Sequence, residues 1–179
     1  MLTLALLVLL SALVIGSFHG TLQATRVEES SSRMASLLRT ARAEAANAGR
    51  RFRLGFDAET GQPVVSIEPD PLGAPGAFQP YLAWWVKLGR LEAGVRALSC
   101  ELTGASAFAD LETSQPGEPQ QDKPTLAEIT FYPDGTSDSA RIVLANDDED
   151  HPWAVQITLN GVDGTIDTQE INMEEESTQ

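Results

Sequence analysis

Disulfide chemistry is absent from this chain: the single cysteine, Cys100, has no partner for an intrachain bridge. Leu98-Ser99-Cys100-Glu101-Leu102 alternates as a strand does, and no histidine or basic cluster stands near it to lower the thiol pKa. Cys100 therefore reads as a small core residue rather than a nucleophile. Histidine is almost as scarce, with His19 beside an apolar segment and His151 in an acidic loop. The chain has no Gly-x-Ser-x-Gly elbow, P-loop or His-Glu-x-x-His motif, so a catalytic triad would rest on His151 alone and no enzyme is expected.

Positive charge is missing from most of the length. Residues 26–53 carry Arg26, Arg33, Arg39, Arg42, Arg50, Arg51 and Arg53 against Glu28, Glu29 and Glu44. Everything after Arg53 holds 5 of the 12 lysines and arginines but 23 of the 26 acids. Such a surface repels nucleic acid, whose affinity for proteins comes largely from phosphate neutralisation, and leaves room for basic protein partners. Asp147-Asp148-Glu149-Asp150 offers hard oxygen atoms but lacks the alternating spacing and glycine of an EF-hand loop. It reads as a solvated charge run, and neither a metal nor a cofactor is expected.

Charge of either sign is absent before Arg26, and that gap organises the chain. Met1 to Ile15 is apolar except for Thr3 and Ser11. As helix, such a run rises about 22 Å, short of the roughly 30 Å hydrocarbon core of a bilayer. A signal peptide would show a basic segment before it and a cleavage site after it, and neither is clear. No proline interrupts Leu22 to Ala48, where Val27, Met34, Leu38, Ala41, Ala45 and Ala48 recur at helical spacing. One long helix is expected, apolar in its first half (1–20) and amphipathic in its second (21–49), ending at Gly49.

The remainder is read as β-rich from 50 to 170, with an acidic tail at 171–179. Phe52 to Phe56 and Val64 to Ile67 flank the turn residues Asp57 to Gly61 and predict a hairpin on the helix stripe. Residues 69–80 hold four prolines and two glycines and are expected as loop, as is the Ser-, Gln- and Pro-rich stretch 104–124. Tyr81 to Val86 contains the pair Trp84-Trp85, read as a loop strand whose rings plug the end of a sheet, with an intersubunit contact or a ligand site as alternatives. Val95 to Leu102 is a strand; Leu126 to Tyr132, Pro133-Asp134-Gly135 and Ala140 to Leu144 read as strand, tight turn and strand. Trp153 to Leu159 is a further strand, and a turn from Asn160 to Gly164 leads into Thr165 to Asp167. The fold class is α+β: a long N-terminal helix against antiparallel strands in two sheets.

Three stretches resemble one known family. The N-terminal run closing on Val14-Ile15-Gly16-Ser17-Phe18 is similar to the helix of type IV pilins and type II secretion pseudopilins, entered a few residues late. In that register a basic leader and a glutamate block would lie upstream of Met1, and about six more residues would add roughly 9 Å of helix. Leu37 to Ala48 resembles the family segment that leads into the first strand, and Ile129-Thr-Phe-Tyr-Pro-Asp-Gly with the strands after it resembles the H-type minor pseudopilin domain shared with FimT-like minor pilins.

The resemblance implies a structural subunit of the type II secretion pseudopilus, anchored by a single pass in the bacterial inner membrane with its β domain in the periplasm. Other pseudopilins and the inner membrane are the implied partners, with the secreted protein as a further candidate. Leu2, Leu6, Leu9, Leu13 and Phe18 would serve membrane residence and helix bundling. Arg26, Arg33, Arg39, Trp84 and Trp85 are candidate intersubunit residues. The alternatives are a FimT-like minor pilin of a type IV pilus and a membrane-anchored binding module built on the tryptophan pair.

Overall fold

The computed structural model describes residues 2–103, 126–148 and 152–171, with side chains from Gln23 onward. The spine is α1 (Leu2–Ala48), 47 residues without a break. Its stripe is buried where the 3.6-residue period places it: Val27, Met34, Leu38, Ala41 and Ala45 are at most 1% exposed. Ala48 departs from the expectation and is exposed. The buried face is wider than the stripe, because α1 lies across both sheets and also covers Ser30, Ser31, Ala35 and Leu37. Ser30 is tolerated inside because its hydroxyl accepts the Glu92 N–H at 3.0 Å. The helix stops at Gly49, in the left-handed region at φ 61°, and the Arg50 N–H bonds the Ala45 carbonyl in the Schellman pattern.

Two antiparallel four-stranded sheets pack against the spine. The first takes β1 (Phe52–Phe56), β2 (Pro63–Ile67), β3 (Gln79–Pro80) and β5 (Ile129–Phe131) in the order β3-β2-β1-β5. The second takes β4 (Val95–Leu102), β6 (Ala140–Asn146), β7 (Ala154–Leu159) and β8 (Ile166–Ile171) in the order β4-β6-β7-β8. The expected hairpin forms, with Leu54 opposite Val65 and both buried in the core shared with the spine. Its turn is held by Asp57, whose carboxylate accepts from the Thr60 N–H and hydroxyl and is thereby held below the usual range.

Five expectations are corrected. The run Leu126 to Tyr132 is strand only from Ile129 to Phe131; Leu126 makes one parallel bridge to Cys100 instead. The Pro133-Asp134-Gly135 turn does form, with the Tyr132 N–H bonded to the Thr136 carbonyl, but it does not pair the strands around it. β5 stays with β1, while Ala140 begins β6 in the other sheet. Asp138 makes the crossover: its carboxylate accepts from the Thr130 N–H and the Tyr132 hydroxyl while its own N–H bonds the Thr130 carbonyl. β8 runs to Ile171 rather than Asp167, one residue into the segment read as tail. The proline-rich loop 69–80 ends in strand, because Gln79 and Pro80 pair with Ile67 and Ser66 at the sheet edge. Finally, Trp84 to Leu88 is a short helix, α2, and not a strand.

Among the described residues, no helix is long and apolar enough to cross a membrane. The side chains of Leu2, Leu6, Leu9, Leu13 and Phe18 lie outside the described residues, as do loop 104–124, Glu149, Asp150, His151 and the tail beyond Ile171.

Candidate assembly surface

The spine presents three kinds of surface, each set by where its residues fall around the helix. The buried stripe faces the sheets, and beside it run arginines that meet different fates. Arg42 is drawn inward. Its guanidinium donates to the carbonyls of Gly135, Val162 and Asp163, so one side chain ties the helix to the β5 turn and to the β7–β8 turn. Five fixed donors on a planar group make arginine suited to bridging several carbonyls. Gly164, at φ 76°, leaves the space that this guanidinium fills.

Arg33, a candidate intersubunit residue, is engaged within its own subunit. It lies 2.7 Å from Glu29, one turn earlier, and 2.7 Å from Glu92. The Glu29 hydrogen bond and the charges of both acids raise its pKa. Arg26 and Arg39 are exposed and, among the described residues, make no ion pair. Beyond the helix, Arg51 grips Glu68 through both carboxylate oxygens at 2.5 Å, and the Gly76 N–H adds a third bond. Glu68 is fully buried, so this pair fixes the start of the proline-rich loop to β1. Arg51's hydrogen bonds, then that of Gly76, hold the Glu68 carboxyl below the usual carboxylate range.

The tryptophan pair is divided by α2. Trp85 is 6% exposed and packs with Phe52 and Tyr81, whose ring centroids are 6.4 and 5.9 Å away. Trp84 points out, 74% exposed, with Leu88 one turn along at 61%. α2 approaches the spine closely because Gly89 lies against Leu37, where a β-carbon would collide with the leucine side chain. A cleft of about 160 Å³ opens between the two helices, with Leu37, Thr40, Trp84 and Leu88 among its walls. On the other side of the spine a groove of about 390 Å³ runs between α1 and β8.

Cys100 is buried in β4, and burial pushes its thiol pKa up to about 12, which leaves it without thiolate at neutral pH. Asp147, from the acidic loop, pairs with Arg96 at 2.9 Å. Among the described residues no cluster of His, Cys, Asp or Glu is arranged to hold a metal ion.

Sequence reasoning names Trp84, Trp85 and Arg33 without showing that they separate into a surface residue, a core residue and an internal ion pair. It includes Arg42 among the arginines of residues 26–53 and within the Leu37 to Ala48 pattern but gives it no contact; the signal is an arginine one residue after the stripe position Ala41, close enough to reach the sheets. The α1–β8 groove leaves no sequence signal, because its walls come from residues more than a hundred positions apart.

A family model described as type II transport protein GspH matches residues 30–162. Two solved structures of the minor pseudopilin EpsH from the type 2 secretion system of Vibrio cholerae are similar in fold. One is 15% identical with a TM-score of 0.51, covering 81% of this chain and 97% of that one. The other is 16% identical with a TM-score of 0.50, covering 82% and 97%. A comparison with curated proteins found no match.

Proposed function

Because this chain belongs to the GspH family of type II secretion minor pseudopilins, we propose that it is a structural subunit of the pseudopilus, held in the inner membrane by the first half of α1 and carrying its β domain in the periplasm. The observation that carries this reading is the match across residues 30–162, which spans most of the amphipathic half of the spine and every strand of both sheets except β8.

The form of the spine supports it. Among the described side chains the first buried one on α1 is Val27, and the helix from Leu2 to that point rises about 37 Å. Residues Leu2 to Ile15 of that length are almost wholly apolar and need lipid or other apolar helices around them. Leu2, Leu6, Leu9, Leu13 and Phe18 would supply that contact, first in the bilayer and then in a bundle with other pseudopilins. The subunit contributes no chemistry; it contributes a rigid rod clamped to a domain, so that force applied through the bundle moves the domain as one body and pushes folded substrates toward the outer membrane.

The test is complementation. The full chain, expressed in its host after deletion of its own gene, is expected to restore secreted protein in the culture supernatant and to co-purify with other pseudopilins. Leu6→Arg with Leu9→Arg is expected to abolish both. Unchanged secretion after the deletion would overturn the reading.

A further inference from the structure

We propose that Asn160 is a self-modification site, at which the peptide nitrogen of Gly161 slowly expels the side-chain amide, and that the Ser139 hydroxyl holds this reaction in check. Asn160 is the one asparagine of the chain followed by glycine. Glycine leaves the peptide nitrogen before its α-carbon unshielded, because no side chain stands beside it. The fold cannot give this glycine up: a β-carbon at Gly161 would collide with the Ser137 carbonyl. The Ser137 N–H also bonds the Gly161 carbonyl at 2.8 Å, so the β7–β8 turn is sewn to the segment that leads into β6.

Both reacting groups are poised in this turn, in opposite senses. The Asn160 Oδ1 accepts the Val162 N–H at 3.0 Å, which folds the side chain forward over the peptide that follows it. A donor on that oxygen also steadies the negative charge it gains when its carbon is attacked. The nucleophile is restrained instead. The Gly161 N–H donates to the Ser139 Oγ at 2.9 Å, and this bond must break before the nitrogen can lose its proton. Asn160 itself is exposed, so water has access.

The reaction balances without a cofactor. Solvent base removes the Gly161 amide proton and the nitrogen forms a bond to Asn160 Cγ. The Cγ–Nδ2 bond breaks, and the leaving nitrogen takes a proton and departs as ammonia. Water then opens the cyclic imide. Addition at Cγ leaves aspartate at this position, whereas addition at the main-chain carbonyl leaves an isoaspartyl link, with an extra carbon in the backbone. The carbonyls of Val162 and Asp163 lie just beyond it and accept from Arg42. An isoaspartyl link therefore shifts the acceptors that tie the spine to this turn, and ageing of a single residue loosens the clamp.

The purified full-length chain in detergent is incubated for days at neutral and at mildly alkaline pH, and peptide mapping by mass spectrometry follows amide loss at Asn47, Asn146, Asn160 and Asn172. Conversion is expected at Asn160 ahead of the other three and faster at the higher pH, with isoaspartate detected by an isoaspartyl methyltransferase. Ser139→Ala is expected to speed it at least about fivefold, the size of one lost hydrogen bond, whereas Ser139→Thr keeps an acceptor and stays close to the wild type. In urea the wild type and Ser139→Ala should convert at a common rate. Resistance of the buried Cys100 to a maleimide reports that each variant is folded during the assay. A folded wild type that keeps its Asn160 amide while the urea-unfolded chain loses it would overturn the site. Equal rates for the folded wild type and Ser139→Ala would overturn the restraint. If Ser139→Ala does not fold, hydrogen exchange of the wild-type Gly161 N–H decides the restraint: slowed exchange supports it, and exchange at the unprotected rate overturns it.

Discussion

Arg42 on the spine helix donates to the backbone carbonyl of Asp163 at 2.6 Å, across 121 residues of sequence. With its bonds to Gly135 and Val162 it closes the helix onto turns that belong to different sheets. Arg42→Ala leaves three carbonyls without this donor and is expected to destabilise the fold by about 1–3 kcal/mol, read as a shift in the urea midpoint of the detergent-solubilised chain. Arg42→Lys should recover only part of the loss, since one ammonium cannot reproduce the planar fork. Equal stability of the alanine variant and the wild type would remove the clamp from the account.

Trp84 and Trp85 are adjacent and should respond differently. Trp85→Ala empties a ring-sized space beside Phe52 and Tyr81 and is expected to cost about 3–5 kcal/mol. Trp84→Ala, at an exposed site, is expected to change stability by no more than about 0.5 kcal/mol. Thermal unfolding of the two variants side by side checks both values.

Glu68 gives the fold a sensitivity to acid. Its carboxyl is held below the ordinary value of 4.5 in the folded state, so the unfolded chain binds the proton more readily. The stabilisation is then complete above that ordinary value and is lost as pH falls below it through the folded pKa. Unfolding midpoints measured from about pH 6 downward should fall most steeply in that lower window. Glu68→Gln is expected to be less stable at the upper end of that range and to show a flatter acid slope.

Cys100 should be silent in the folded protein. With a pKa of about 12 and no exposed surface, it is expected to resist a maleimide at neutral pH and to react fully once urea unfolds the domain. Rapid labelling of the native chain would show that β4 opens locally.

Much of this architecture is legible in the sequence because it depends on local periodicity. The stripe Val27, Met34, Leu38, Ala41 and Ala45 is a helical pattern that any packed sheet would bury, and Phe52-x-Leu54 opposite Val65 is a period-two pattern joined by turn residues. The Asn160 to Gly164 turn and the stop at Gly49 follow from residues that tolerate positive φ. Trp84-Trp85 reads as strand from sequence because six residues of mostly apolar chain fit either period, and the packing of Gly89 on Leu37 favours the helical one.

By itself the sequence determined the length and continuity of the spine, its apolar and amphipathic halves, the first hairpin and the uneven charge, since these are properties of neighbours along the chain. Tertiary structure alone decided that β5 and β6 part into different sheets, that Arg33 turns to Glu92 while Arg39 makes no ion pair among the described residues, and that the spine has a cleft on one flank and a groove on the other. The reason is physical: each of these depends on which distant backbone groups and charges arrive at the same place, and hydrogen bonds and ion pairs select by position in space, not by position in sequence.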